Sequence, residues 1–187
     1  MLQRPRRLFT ALDIAVEVRA ALVELVRQLS PAAPFRWSPP ENLHITTKFI
    51  GNWPADQYEQ LLQILAAVAK PGPIEIAIRG LGWYPNPHSP RILFAGIQAG
   101  PVLQGLHQQT DAACAAIGIP AETKPFNPHL TLARSKSPDG LQAVRQLIAQ
   151  LPSTAFGEFT ARAFHLYESV PGLAGSEYTK LEEFPLL

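Results

Sequence analysis

The chain has 187 residues, 47% of them apolar, and a formal net charge of +1 at neutral pH. That length makes one large domain or two small lobes with a real core. The near-zero charge excludes a broad basic surface gripping long nucleic acid through many phosphates, but allows recognition of a single phosphate at a chain end. The single cysteine, Cys114, excludes an internal disulfide and a cysteine-built metal cluster; in the alanine-rich stretch DAACAAIG it reads as a buried, inert thiol. No run reaches the ~18 uninterrupted apolar residues of a membrane helix. The start, MLQRPRRLFTALDI, has basic residues but no long apolar core or small-residue cleavage site after them, so a cytoplasmic protein is expected.

RRLFTALDI reads as a strand, and VEVRAALVELVRQLS as a helix with Val16, Ala20, Val23 and Val26 at helical spacing, closed by Pro31. LHITTKFIG is the next strand. Pro54 and Asp56 open a helix through QYEQLLQILAAVAK, ended by PGP. IEIAIRGLGWY and RILFAGIQ read as two strands joined by the YPNPHSP turn. Pro101 opens the helix VLQGLHQQTDAACAAIG, PHLTLAR is a strand, and Ser137-Pro138-Asp139 precede the helix LQAVRQLIAQL. FGEFTARAFHLYES and SEYTKLEEF close the chain as two strands around a glycine turn. The expected order is β-α-β-α-β-β-α-β-α-β-β. A boundary near residues 85–90 divides it into halves of similar content, an internal pseudo-repeat within one bilobal domain spanning 1–187. The fold class expected is α+β: two antiparallel sheets, each covered by helices on one side, with their open faces meeting at a cleft.

Each half carries one His-x-Thr, His44-Ile45-Thr46 and His129-Leu130-Thr131, inside a strand. Residues two apart on a strand share a face, so each strand offers an imidazole and a hydroxyl side by side. One such triplet is a weak signal. Two, with apolar residues between His and Thr and proline-rich approaches (SPPENLH, KPFNPH), point to a four-group cluster lining the cleft. Two histidines can serve as acid and base near neutral pH, and Thr46 and Thr131 can donate hydrogen bonds to non-bridging phosphate oxygens. The combination suits phosphodiester cleavage without a metal.

Both motifs end five residues past the histidine in a large side chain, Phe49 or Arg134. Arg134 would add a charge-assisted contact to phosphate, and Phe49 could stack on a base or belong to the core. Strict alternation sends both to the face opposite the histidines, so each needs a strand end or a bulge to reach the cleft. Lys48 shares the alternation face of His44. Arg91 and Lys124 could edge the cleft. Trp83, Tyr84 and Tyr178 are either stacking platforms or core and rim aromatics. His88, His107 and His165 have no threonine two places on and receive no role. No H-E-x-x-H, no cysteine pair and no carboxylate beside either motif histidine occurs, so no metal or other cofactor is expected, and no P-loop pattern is present.

HITTKFIG and FNPHLTLARS resemble the paired motifs of the two-histidine (2H) phosphoesterases. More narrowly, the chain is similar to the RNA 2′,3′-cyclic phosphodiesterases, also called 2′-5′ RNA ligase-like proteins. The similarity runs from LFTALDI through RWSPPENLHITTKFIG, LGWYPNPHSPRILFAGI and PFNPHLTLAR to HLYESVPGLAGSEYTKLEEFPL. Thr47, Phe94 and Trp53 depart from the usual pattern outside the His-x-Thr core. The resemblance implies two similar lobes about a cleft and opening of a 2′,3′-cyclic phosphate to a 2′-phosphate. It implies His44 as proton donor and His129 as proton acceptor. The partner expected is an RNA 3′ end or nucleotide bearing a cyclic phosphate, with no membrane or obligate protein partner. A phosphodiesterase or ligase of 2′,5′ linkages, a hydrolase of another small cyclic phosphate, and a non-catalytic RNA-end binding module are the competing readings.

Overall fold

Ile74, Ile76 and Ile78 alternate with polar or small residues in IEIAIRGLGWY, and all three are buried, as a strand with one covered face requires. The same alternation builds nine strands, and a 3.6-residue period four helices, in a computed structural model describing residues 4–68, 71–172 and 175–187. In chain order they are β1 (Arg6–Leu12), α1 (Val16–Leu29), β2 (Arg36–Trp37), β3 (Ile45–Trp53), α2 (Tyr58–Ala67), β4 (Ile74–Tyr84), β5 (Ile92–Ala99), α3 (Pro101–Ala116), β6 (His129–Arg134), α4 (Leu141–Ala149), β7 (Ala155–Ala161), β8 (Ala163–Gly172) and β9 (Gly175–Pro185). The last two residues expected in the second helix, and the middle of the C-terminal glycine turn, lie outside the described residues.

The strands form two antiparallel sheets, ordered β3-β1-β8-β9 and β2-β6-β5-β4-β7. Leaving out the two-residue β2, the orders correspond strand for strand: β3 with β6, β1 with β5, β8 with β4, β9 with β7. A chain division near residues 85–90 falls between neighbouring strands β4 and β5 of one sheet, so the sheets do not follow it. Instead the first half sends β1 and β3 to one sheet and β2 and β4 to the other, while the second half sends β8 and β9 to the first sheet and β5, β6 and β7 to the second. The helices cross over as well. α1 packs on β7 and α4 on α1, whereas α3 packs on β3 and α2 on α3. Each sheet therefore has two helices on its closed face, and each half completes the other's lobe.

Three details differ from the sequence expectation. α1 buries Val18, Leu22, Leu25 and Leu29, not the stripe through Val16 and Ala20, which are exposed. Both stripes have helical spacing, and the one richer in leucine removes more apolar surface from water. FGEFTARAFHLYES is two strands, not one: β7 pairs with β4 and β8 with β1, the chain changing sheets at Arg162. β2 is too short to show any periodicity.

Behind β3, Lys48 is only 2% exposed. Its ammonium lies 2.7 Å from Asp111 Oδ1, 3.7 Å from Glu122 Oε1, and donates to the Pro120 carbonyl at 2.7 Å. A buried ammonium is tolerated only with such partners. Burial acts to raise the Asp111 pKa, but Lys48 and the Glu122 N–H more than offset it, so the carboxylate sits below its ordinary value of 3.8. A lowered carboxylate pKa contributes stability at neutral pH, and that contribution disappears as the pH falls below this value. Asp111→Ala, which leaves Lys48 charged and poorly paired, is expected to cost about 3 kcal/mol in urea unfolding. Lys48→Met in the same chain should restore most of the loss.

Candidate active site

The two motifs are built alike. Each histidine stands at the start of its strand, and its Nδ1 lies near the carbonyl of the residue two before it: His44 to Asn42 at 2.7 Å, His129 to Asn127 at 2.9 Å. A carbonyl only accepts, so each Nδ1 carries a hydrogen and each neutral ring keeps its lone pair on Nε2. His44 Nε2 is 3.0 Å from the Thr46 hydroxyl, so imidazole and hydroxyl share one face as alternation dictates. His44, Thr46, His129 and Thr131 are all half-buried, while Ile45, Leu130 and Leu132 between and beyond them are fully buried on the helix side.

One residue after each threonine the strand carries an extra residue. Thr10 pairs with Lys48 and Ala11 with Thr46, leaving Thr47 unmatched; Leu93 pairs with Ala133 and Phe94 with Thr131, leaving Leu132 unmatched. Such a bulge reverses the facing of the residues that follow it, in β3 as far as a second irregularity at Ile50. Phe49 is therefore 60% exposed on the cleft side, 6.2 Å between ring centroids from Phe9, and is not a core residue. Lys48 is turned away from His44 into the ion pair behind the sheet, which corrects the expectation that the two share a face. Arg134 is exposed on the open face of the second sheet. The bulged carbonyls are satisfied locally. His107 Nδ1–H donates to Thr47 O at 2.7 Å, and Ser38 N–H donates to Leu132 O at 2.8 Å. His107 thus holds the β3 bulge, and its ring stacks on Phe126 at 4.0 Å.

β3 and β6 approach each other where the sheets meet, and the two motifs lie within electrostatic reach. The His44 pKa is lowered from 6.5 chiefly by burial. The Asn42 carbonyl and the Asp13 carboxylate act to raise it, and the charges of Arg134 and His129 add to the lowering. Asp13, at the end of β1, accepts from the Tyr167 hydroxyl and from Lys180, and His165 Nδ1 lies 3.8 Å from it. These partners keep the Asp13 carboxylate ionised below its ordinary range against its own burial, and the Tyr167 phenol is raised by burial and by Asp13.

Aromatic rings surround each imidazole. His44 lies 5.0 Å from Phe9, 5.2 Å from Tyr178 and 6.3 Å from Tyr167. His129 lies 5.1 Å from Tyr84 and 5.5 Å from Phe94, which stack on each other at 4.7 Å. Gly82 makes room for this stack, because a Cβ there would come within 2.3 Å of the Phe94 ring. Tyr84 and Tyr178 are therefore site residues. Trp83 instead packs into the core edge near Phe35. Arg91 and Lys124 are exposed. His88 is exposed in its turn, and His165 is buried with Nε2 3.1 Å from Glu183. Phe9, Asp13, Phe94 and Tyr167 were not evident as site residues from the sequence. Neither were Asn42 and Asn127, because their backbone carbonyls act and any residue type carries one. Among the described residues no group of three or more His, Cys, Asp or Glu could hold a metal, and no helix is long and apolar enough to cross a membrane.

Two sheets that each present a pinned imidazole and a hydroxyl to a shared cleft define a phosphoesterase architecture. The chain matches the LigT like Phosphoesterase family over residues 12–94 and 97–174, one His-x-Thr in each stretch, and it belongs to that family. It is 35% identical to an RNA 2′,3′-cyclic phosphodiesterase of Thermus thermophilus over 96% of this chain and 90% of that protein, and 30% identical to one of Archaeoglobus fulgidus over 95% and 99%. A crystal structure of a Thermus thermophilus protein matches with a TM-score of 0.80 at 34% identity, covering 96% of this chain and 97% of that one. Escherichia coli LigT complexed with 3′-AMP shares the fold, with a TM-score of 0.80 at 24% identity over 97% and 98%.

The electrostatics can be checked by NMR titration of the ring protons. His44 should titrate below the ordinary histidine value. Arg134→Ala should move it up, because a cation that disfavours imidazolium has gone, and Asp13→Asn should move it down.

Proposed function

We propose that this protein is an RNA 2′,3′-cyclic phosphodiesterase that hydrolyses a terminal cyclic phosphate to a 2′-phosphomonoester, with His44 as acid and His129 as base. The observation that carries the reading is the matched tautomer. Both rings have Nδ1–H tied to a carbonyl, so both offer Nε2 to the cleft, one to take a proton and one to give it. The two histidines come from different sheets, as attack and departure on opposite sides of phosphorus require.

In the reaction, His129 Nε2 takes a proton from water as its oxygen bonds to phosphorus. The bond from phosphorus to the 3′ oxygen breaks, and His44 Nε2–H protonates that oxygen. Thr46 and Thr131 donate to the two non-bridging oxygens, and the Arg134 guanidinium offsets the charge that grows on them. Acid and base roles are each worth ~10²–10⁴ in rate, together roughly 5–11 kcal/mol. His44 must be protonated to act, yet its pKa is lowered in the free protein. The bound phosphate anion supplies the missing support, placing a negative charge beside Nε2, so substrate arms its own acid. Phe49, on the open side of the His44 lobe, is placed to stack on the terminal nucleobase. No metal or cofactor takes part in this reading, its partner is an RNA 3′ end or a nucleotide bearing a cyclic phosphate, and it acts in the cytoplasm.

Cytidine 2′,3′-cyclic monophosphate should yield the 2′-monophosphate at the same rate with and without chelator. Formation of the 3′-monophosphate, or loss of rate with chelator, would overturn the assignment. His44→Ala and His129→Ala should each abolish nearly all turnover while leaving the fold intact. Thr46→Ala or Thr131→Ala should cost about 1–3 kcal/mol of transition-state stabilisation, read from kcat/KM. The pH profile should be bell-shaped, since one imidazole must be charged and the other neutral.

A further inference from the structure

The two sheets correspond strand for strand except for β2, which adds Arg36 and Trp37 outside β6 and has no counterpart outside β3. Although only two residues long, β2 is firmly registered. The next residue, Ser38, donates its N–H to Leu132 O and its hydroxyl to Thr131 O, both at 2.8 Å, and Trp37 packs against Phe35 on the core side. Trp37 faces the core, so Arg36 faces the cleft.

Arg36 is paired directly opposite Arg134. Opposite residues of an antiparallel pair share a face, with Cα atoms about 4.5–5.5 Å apart. Like charges so placed are destabilising. Both arginines are exposed, and among the described residues neither makes an ion pair with a carboxylate. Two uncompensated guanidinium groups side by side at the phosphate end of the cleft make an anion site. A single cyclic phosphate does not use both. In the proposed reaction its two non-bridging oxygens receive Thr46, Thr131 and the Arg134 charge, so the five donors of Arg36 are available to another acceptor.

We propose that Arg36 binds a second phosphate, the phosphodiester on the 5′ side of the terminal nucleotide, so that an oligoribonucleotide end is preferred over a free cyclic mononucleotide. This rests on the cyclic-phosphate reading of the cleft and goes beyond it, since a mononucleotide cyclic phosphate has no such group. Arg36 is a binding residue here and takes no part in proton transfer.

The test compares Arg36→Ala and Arg36→Lys with the unchanged protein on cytidine 2′,3′-cyclic monophosphate and on an oligoribonucleotide ending in the same group. For Arg36→Ala, kcat/KM on the oligonucleotide should fall about tenfold to a hundredfold, mainly through KM, as expected for one lost charge-assisted contact. On the mononucleotide it should stay within about twofold. The slope of log kcat/KM against log salt for the oligonucleotide should become shallower by about 0.7, the value for one phosphate contact on a single strand. Arg36→Lys should recover part of the loss, a point charge replacing the fork. Equal losses on both substrates would assign Arg36 to the reacting phosphate or to folding, and no loss on either would remove it from the site; either result overturns the proposal. Failure of the unchanged protein to hydrolyse even the mononucleotide would instead overturn the functional reading beneath it.

Discussion

A one-residue bulge just past each His-x-Thr decides what the cleft contains. Without it, alternation would bury Phe49 and Arg134 against the helices and aim Lys48 at His44. With it, an aromatic ring and a guanidinium reach the open faces, and the lysine is driven into the interior, where Asp111, Glu122 and the Pro120 carbonyl receive it. A bulge leaves a backbone carbonyl without its ladder partner, and an unpaired buried carbonyl is costly. The two lobes meet that cost differently, with the His107 ring at Thr47 and the Ser38 amide at Leu132. Helix α3 and the residue that follows β2 are thereby tied to the shape of the motif strands.

The exchange of strands between sheets has a functional side. His44 and His129 come from different sheets, so their separation depends on how rigidly the sheets are joined. The chain crosses between the sheets at several points, among them Asp13 to Ala15 between β1 and α1, and Arg162 between β7 and β8. Each half supplies two strands and a helix to the other's lobe, so neither half forms a complete core alone.

The two ends of the cleft differ in character although they share a plan. Around His44 stand Phe9, Tyr167, Tyr178 and the exposed Phe49, with the Asp13 carboxylate behind them. Around His129 stand Tyr84 and Phe94, with Arg134 and Arg36 on the neighbouring rim. One end is suited to a flat base and the other to phosphate. At His44, burial lowers the pKa and the Arg134 charge adds to the lowering.

By itself the sequence determined most of the elements and the two His-x-Thr pairs. Alternation around His44 and His129 was enough to pair each imidazole with its threonine, and the doubled pattern was enough to call for a cleft between similar sheets. Those are local properties, set by the period of a strand and by residue type. Only tertiary structure decided the rest. Which stripe of α1 faces inward depended on the sheet it meets. The corner at Arg162 and the two-residue β2 leave no periodic trace. The bulges at Thr47 and Leu132 are fixed by partners on β1, α3 and β2, and with them the facing of Phe49, Lys48 and Arg134. Asn42 and Asn127 act through carbonyls that every residue possesses, so their part is a matter of position and not of side chain.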